Sequence, residues 1–269
     1  MEATTQDPTN GQMKWHKEGA IGWMIFNRPE RHNAVSFEMW QAIPMILDEF
    51  GADDEVRVVV LRGAGERAFV SGADISQFEE KRADADSTAI YNAAVDEATS
   101  RLQTFGKPTI AMIEGYCIGG GCAIATSCDF RVATPDSTFA IPAAKLGLGY
   151  NYPGVRKLVQ LIGPSFAKEI FYTARQFSAE EAYHMHLINR VVARDGLEDH
   201  IAEFAGTISA NAPMTIHAVK VSVEEVLKDA QDRDLAMVEQ LVNACFASED
   251  YQEGRRAFME KRKPVFRNR

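Results

Sequence analysis

The stretch Gly115-Tyr-Cys-Ile-Gly-Gly-Gly-Cys-Ala-Ile-Ala-Thr-Ser-Cys-Asp129 places three consecutive glycines between an apolar run and a run of small residues that favours a helix. Where a strand turns directly into a helix, the first backbone N–H groups of the helix have no partners inside it. The helix dipole makes that end positive. The glycine junction at residues 119–121 therefore predicts a site for a negatively polarised oxygen.

A second turn of the same kind, Ala68-Phe-Val-Ser-Gly-Ala-Asp-Ile75, follows another apolar run and supplies one more backbone N–H group. Two backbone N–H groups that converge on one oxygen form an oxyanion hole, which stabilises negative charge as it develops on a carbonyl. The two turns together predict an enzyme that stabilises an enolate-like anion.

Composition limits the classes of partner. The chain has 269 residues, 46% of them hydrophobic, and a formal net charge of -9. This acidic balance argues against a general binder of nucleic acid or anionic membranes, because no global field attracts phosphate groups. The four cysteines lack the paired spacing of a zinc site and are expected to be small buried residues of a cytoplasmic protein. We expect no metal and no permanently bound cofactor.

The order of elements predicts an α/β fold. Five short runs have strand character, and helical patterns alternate with them. They are residues 21–26, 56–62, 109–114, 129–133 and 189–192. After about residue 195 four helical stretches follow, at 197–210, 215–228, 232–246 and 249–261. We predict a disordered polar lead over residues 1–13, a core domain over 14–195 and a helical region over 196–269. The lead lacks the apolar core of a signal peptide.

Four motifs in order resemble the crotonase superfamily, the enoyl-CoA hydratase/isomerase family. They are Asn27-Arg-Pro-Glu-Arg-His-Asn-Ala34, the turn at residues 69–75, the glycine loop at 119–121 and the ending Glu253-Gly-Arg-Arg-Ala-Phe-Met-Glu-Lys-Arg-Lys-Pro264. The resemblance spans residues 14 to 266. It implies a spiral core of ββα units, a C-terminal helical region that forms homotrimers or dimers of trimers, and a CoA thioester as substrate.

The resemblance also implies site residues. The two oxyanion-hole amides belong to Ala73 and Gly120, and both follow glycine-containing turns that a substrate can approach closely. The implied CoA-binding set comprises Arg31, Arg67, Ala68, Ile75, Phe258 and Lys261. Many relatives carry a lysine at the position of Ser76, so one contact of the CoA nucleotide is expected to be absent here.

Two positions depart from the family pattern. Family hydratases use two glutamates to activate one water, and this chain has Ala123 and Ala143 at those positions. A methyl group neither donates nor accepts a proton, so ordinary syn-hydration is not expected. The sequence instead favours lyase or isomerase chemistry through an enolate.

The pair Tyr150-Asn151 resembles the Tyr-Asn of the methylmalonyl-CoA decarboxylase branch, although that branch has a histidine where this chain has Ala73. A phenol there orients a substrate carboxylate through a hydrogen bond. We therefore expect Tyr150 to act in catalysis and Asn151, with the two alanines, to line the acyl pocket. Two alternatives stay open: decarboxylation of a malonyl-type CoA or hydrolysis of a β-dicarbonyl compound, and non-catalytic acyl-CoA binding.

Overall fold

The computed structural model describes residues 7–77 and 84–269. Of the predicted disordered lead, residues 1–6 lie outside the described residues, whereas residues 7–12 form a turn. The Asp7 carboxylate accepts hydrogen bonds from the Thr9 N–H at 2.8 Å and the Gly11 N–H at 2.6 Å. Asp7 thus accepts backbone hydrogen bonds within this turn, and the side chain of Met13, which follows it, is buried. The boundaries of the predicted lead stay a prediction.

The larger sheet has six strands in the order β1-β2-β3-β5-β7-β10, and neighbours are parallel except for the antiparallel pair β1 and β2. Its strands are β1 (Met13–Glu18), β2 (Ile21–Phe26), β3 (Val58–Gly63), β5 (Thr109–Ile113), β7 (Phe130–Ala133) and β10 (Arg190–Val191). All five strands predicted from the sequence lie in this sheet, with ends shifted by no more than two residues.

A second sheet of four strands carries the turns of interest. Its strands, in spatial order, are β4 (Ala68–Val70), β6 (Tyr116–Ile118), β8 (Thr138–Ala140) and β9 (Phe177–Ser178). The first three are parallel to one another, and β9 is antiparallel to β8. The carboxyl ends of three adjacent strands therefore meet at one edge of this sheet.

Nine α-helices lie within the described residues. They are α1 (Phe37–Ala52), α2 (Ala85–Thr104), α3 (Gly120–Ser127), α4 (Tyr152–Thr173), α5 (Ala179–His184), α6 (Leu197–Ser209), α7 (Pro213–Val226), α8 (Leu235–Ala247) and α9 (Glu249–Glu260). The last four confirm the helices predicted after residue 195, and the Ser248 hydroxyl caps α9 by accepting from the Tyr251 N–H at 3.0 Å. Across the described ranges no helix has the length and apolarity needed to cross a lipid bilayer.

The central strands β3 and β5 of the larger sheet are buried on both faces, which explains their continuous apolar sequences. Along β3, Val59 and Leu61 belong to the main core, whereas Val58 and Val60 pack with Leu197 and other residues of α6. The smaller sheet adds Phe69 and Phe139 to the main core. This packing fixes the positions of the strand ends from which the site is built.

Candidate active site

Three turns converge at the carboxyl edge of the smaller sheet. Strand β4 leads into the turn at residues 71–74, β6 leads through Gly119 into α3, and β8 leads into the 3-10 turn Pro142–Leu146. Since β4, β6 and β8 are parallel neighbours, positions far apart in the sequence meet there. The two glycine turns are brought together as predicted.

Two glycines make this close approach possible. Gly119 has φ +53, a left-handed backbone conformation that residues other than glycine rarely adopt. A Cβ on Gly121 would lie only 2.2 Å from the carbonyl oxygen of Val70 at the end of β4. The first turn of α3 therefore packs directly on the β4 backbone.

Two backbone hydrogen bonds fix the turn around Ala73. The Val35 N–H donates to the Gly72 oxygen and the Asp74 N–H donates to the Val35 oxygen, both at 2.9 Å, which fixes the turn on either side of Ala73. A Cβ placed on Gly120 would lie 3.4 Å from the Ala73 nitrogen. Within residues 7–77 and 84–269, neither the Ala73 nor the Gly120 N–H has a hydrogen-bond acceptor.

The side chain of Asp74 anchors the same turn. Its carboxylate pairs with the Arg28 guanidinium at 2.8 Å and accepts from the Ser76 hydroxyl at 2.6 Å. Burial alone would raise the pKa of Asp74, but the hydrogen bonds from Ser76 and Arg28 outweigh it and lower that pKa. Asp74 is thus ionised, and its carboxylate is already bound by Arg28 and Ser76, so its role is structural.

A cavity of about 1120 Å³ opens at these two amides. Seven of the residues predicted for the site line it together: Ala73, Ile75, Gly120, Ala123, Ala143, Tyr150 and Asn151. The indole of Trp40 forms one wall beside Gly120, and the Trp40 Nε1–H donates to the Tyr91 hydroxyl at 3.1 Å. Helices α2 and α7 complete the walls, so the cavity is large enough for a long acyl group.

Tyr150 lies in this cavity with its ring fixed and its hydroxyl available. The ring packs edge-on against Phe171, with 4.7 Å between the centroids. Burial raises the pKa of the phenol well above its usual value, so Tyr150 stays neutral and is able to donate a hydrogen bond. No partner for its hydroxyl is found in the described part of the chain.

Asn151 has a structural task in addition to its place at the cavity. Its Oδ1 accepts from the Gly154 N–H at 3.0 Å and so caps the first turn of α4, and its Nδ2 donates to Asp96 at 2.8 Å. Both ends of the amide are therefore in use. Asn151 fixes the direction in which α4 leaves the site.

Five residues predicted to bind CoA do not line the cavity of the single chain: Arg31, Arg67, Ala68, Phe258 and Lys261. The side chain of Ala68 is buried in β4, and its carbonyl oxygen accepts from the Asn33 side chain at 2.7 Å. Phe258 is 83% exposed on α9. Of the predicted CoA-binding set, only Ile75 reaches the cavity, at its open side.

The structure shows two charged residues in the cavity wall that the sequence analysis did not identify. Lys157 of α4 and Glu224 of α7 both line the cavity. The Lys157 ammonium donates to the Ser127 hydroxyl at 2.7 Å, and burial lowers the pKa of Lys157 to about 8. A single lysine in an amphipathic helix is typical of a solvated side chain, so no sequence signal marks it.

Comparisons with known proteins agree with this geometry. A sequence model described as enoyl-CoA hydratase/isomerase matches residues 16–269. The chain is 34% identical over 254 residues to the short-chain-enoyl-CoA hydratase of Clostridium acetobutylicum, covering 94% of this chain and 97% of that protein. It is 32% identical over 251 residues to the crotonyl-CoA hydratase of Syntrophomonas wolfei, covering 93% and 95%.

A solved structure extends the agreement to three dimensions. The enoyl-CoA hydratase/carnithine racemase from Magnetospirillum magneticum matches with a TM-score of 0.90 at 33% identity, covering 96% of each chain. The predicted crotonase-like α/β fold with a helical C-terminal region is thereby confirmed. This chain belongs to the enoyl-CoA hydratase/isomerase family.

Proposed function

We propose that this chain acts on a CoA thioester and stabilises its enolate between the backbone N–H groups of Ala73 and Gly120. The observation that carries the proposal is that Ala73 and Gly120 are neighbours that line one cavity, and neither N–H group has an acceptor in the described residues. A thioester oxygen placed between them would accept both. Its hydrogen bonds would strengthen as negative charge moves onto it.

The printed names of two relatives, a short-chain-enoyl-CoA hydratase and a crotonyl-CoA hydratase, support acyl-CoA as the substrate class. The reaction, however, is proposed to be other than hydration. The resemblance assigns the two water-activating glutamates to the positions of Ala123 and Ala143, and both methyl groups line the cavity. We infer lyase- or isomerase-type chemistry through the enolate.

Loss of carbon dioxide from a malonyl-type CoA is the lyase reaction that makes the least demand on the missing groups. The electron pair of the breaking C–C bond passes to the α carbon and the thioester oxygen, so no base is required for that step. The neutral phenol of Tyr150 would orient the departing carboxylate through a hydrogen bond. A proton from solvent then completes the product.

A second candidate function is acyl-CoA binding without turnover. The observation that favours it is the same pair of alanines, which removes the acid and base of the family mechanism while leaving the oxyanion hole and cavity intact. The two candidates differ in one respect: only the enzyme changes its ligand.

We also infer a homotrimer or a dimer of trimers in the cytoplasm, with Phe258 and Lys261 reaching the nucleotide end of CoA across an interface. Helix α8 has no buried residue in the single chain, and its apolar residues Leu235, Val242 and Phe246 are exposed. An apolar helix left uncovered in this way favours assembly. Light scattering of the purified protein measures the number of copies.

The test compares two variants at one position. Gly120→Pro removes the N–H group at the first position of α3, where proline is compatible with a helix, and Gly120→Ala adds a Cβ but keeps the N–H. Crotonyl-CoA, methylmalonyl-CoA and a β-diketone are offered to each variant and followed by absorbance and mass. We expect little hydration of crotonyl-CoA and turnover of a thioester that falls about a hundredfold more in Gly120→Pro than in Gly120→Ala.

Each other outcome assigns the chain differently. Turnover of the β-diketone alone would assign the hydrolase alternative. Tight CoA binding with no turnover of any compound would favour the binder. Equal rates in the proline and alanine variants would refute the oxyanion role of Gly120.

A further inference from the structure

Lys157 is a cation that lines the cavity. Its ammonium donates to the hydroxyl of Ser127, which in turn donates to the Ala123 carbonyl oxygen at 2.7 Å. Within residues 7–77 and 84–269 Lys157 forms no ion pair within 4.0 Å. An ammonium group offers three N–H donors, so two of them have no partner in the described residues.

The groups near Lys157 do not form an ion pair with it. Glu224 of α7 is an anion that attracts the ammonium, but in the described residues its carboxylate is hydrogen-bonded to the Gln103 side chain, at 2.6 Å, and not to Lys157. Also nearby are the cationic Arg131 and the thiol of Cys128, whose pKa burial raises to about 12, so that it is neutral. An anion entering the cavity is therefore able to contact the Lys157 ammonium directly.

The position of Lys157 relative to the oxyanion hole sets a length. Helix α3 begins at Gly120 and ends at Ser127, and at about 1.5 Å per residue these ends are about 10 Å apart along the helix axis. Ala123 lies between them and lines the cavity, together with Ala143. A ligand that extends along α3 therefore passes the methyl group of Ala123 before it reaches the cation.

An apolar wall followed by a cation fits an acyl chain that ends in a carboxylate. We propose that the acyl group of the substrate ends in a carboxylate, which binds Lys157 while its thioester oxygen occupies the oxyanion hole. This inference rests on the proposed function, because the hole fixes the other end. An extended chain of about six to eight carbons covers the distance, given C–C bonds of about 1.5 Å.

Two other roles for Lys157 are less consistent with its place. As an acid or base it would have to touch the α or β carbon, but Ser127 holds it about one helical turn beyond Ala123. As a purely structural group it would bind the end of α3 through Ser127 and would not distinguish one ligand from another. Lys157 is instead assigned as a residue that determines substrate specificity.

The experiment measures binding of non-reacting thioesters by calorimetry, so that it is independent of turnover. The ligands are the CoA monothioesters of the saturated six- and eight-carbon dicarboxylic acids, compared with hexanoyl-CoA and octanoyl-CoA. We expect the native protein to bind at least one dicarboxylic thioester about ten- to a hundredfold more tightly than its monocarboxylic counterpart, as expected for hydrogen bonds to a charged group. The preference should decline as pH rises past 8, where the free ammonium loses its proton.

Matched variants at one position locate the effect. Lys157→Met keeps the length of the side chain without its charge and should bring the ratio of dicarboxylic to monocarboxylic thioester affinity close to one. Lys157→Arg keeps the charge and should retain part of the preference for dicarboxylic thioesters. Circular dichroism shows whether both variants are folded.

The failures of the two proposals are distinguishable. Equal binding of dicarboxylic and monocarboxylic thioesters by the native protein would overturn the role of Lys157 and leave the acyl-CoA assignment intact. A preference that survives in Lys157→Met would also overturn it. Failure of all four thioesters to bind would instead remove the proposed function itself.

Discussion

The backbone of Gly121 touches the carbonyl oxygen of Val70 so closely that a Cβ on Gly121 would lie 2.2 Å from that oxygen. Val70 ends β4 and Gly121 belongs to the first turn of α3, so this contact joins the two halves of the proposed oxyanion hole. A backbone oxygen has no freedom to rotate away as a long side chain would. The spacing of the Ala73 and Gly120 amides therefore depends on residue 121 being a glycine, which has no side chain.

Replacing Gly121 by alanine should separate α3 from β4. Overpacking of a buried site costs about 1–3 kcal/mol, and a clash with a backbone atom should fall at the upper end of that range. Urea unfolding measures the loss. Gly206→Ala is the control, because Gly206 lies in α6 with nothing within 4 Å of its Cβ position, and this change should stabilise by up to about 1 kcal/mol. Equal stability of Gly121→Ala and the native protein would contradict the packing described here.

The larger sheet was predictable and the smaller one was not, for a physical reason. The central predicted strands are runs of β-branched and apolar residues buried on both faces, such as Val58–Gly63. The strands that hold the site, including Ala68–Val70 and Tyr116–Ile118, have two or three residues, too few for any period to be visible. Their pairing depends on contacts between distant parts of the chain.

The site divides in the same way. The two glycine turns carry local signals and could be paired from the sequence, whereas the assignment of the amides to Ala73 and Gly120 comes from the resemblance and stays a prediction. The contact between Lys157 and Ser127 joins residues 30 positions apart and exists only because α4 packs beside α3. The capping role of Asn151 likewise depends on where α4 begins. Roles in CoA binding for Arg31, Arg67 and Ala68 stay predictions.

Tyr150→Phe should lower turnover without lowering stability. The edge-on contact with Phe171 needs only the ring, and the hydroxyl has no partner in the described residues, so its loss leaves the fold unchanged. A hydrogen bond from the phenol to a substrate carboxylate is worth about a tenfold to hundredfold change in rate. Tyr172→Phe, which removes an exposed hydroxyl from α4, the helix that follows Tyr150, is the control. Unchanged decarboxylation by Tyr150→Phe would exclude the orienting role.

Restoring the two glutamates should introduce hydration. Ala123 and Ala143 line one cavity beside the proposed oxyanion hole, and the resemblance implies that both carboxyl groups act on one water. The double variant Ala123→Glu/Ala143→Glu should hydrate crotonyl-CoA at least about tenfold faster than the native protein, given the usual contribution of acid–base groups. The matched Gln/Gln variant has the same size without the titratable groups and should stay inactive. Equal activity of the two double variants would show that the alanines are not what limits hydration.

The charge of Lys157 should make stability depend on pH in a direction that can be calculated. Its pKa is about 8 in the folded protein against an ordinary value of 10.5, so between these values the unfolded chain holds a proton that the folded chain has lost. The free energy of unfolding therefore rises with pH across this window, and the penalty for burying the ammonium is largest below pH 8. Lys157→Met has no such penalty. Urea unfolding of both proteins from pH 7 to 10 should show the variant more stable at pH 7, with the difference shrinking as pH rises. Parallel stability curves would mean that the pKa of Lys157 is not lowered by folding and that its ammonium is not buried as described.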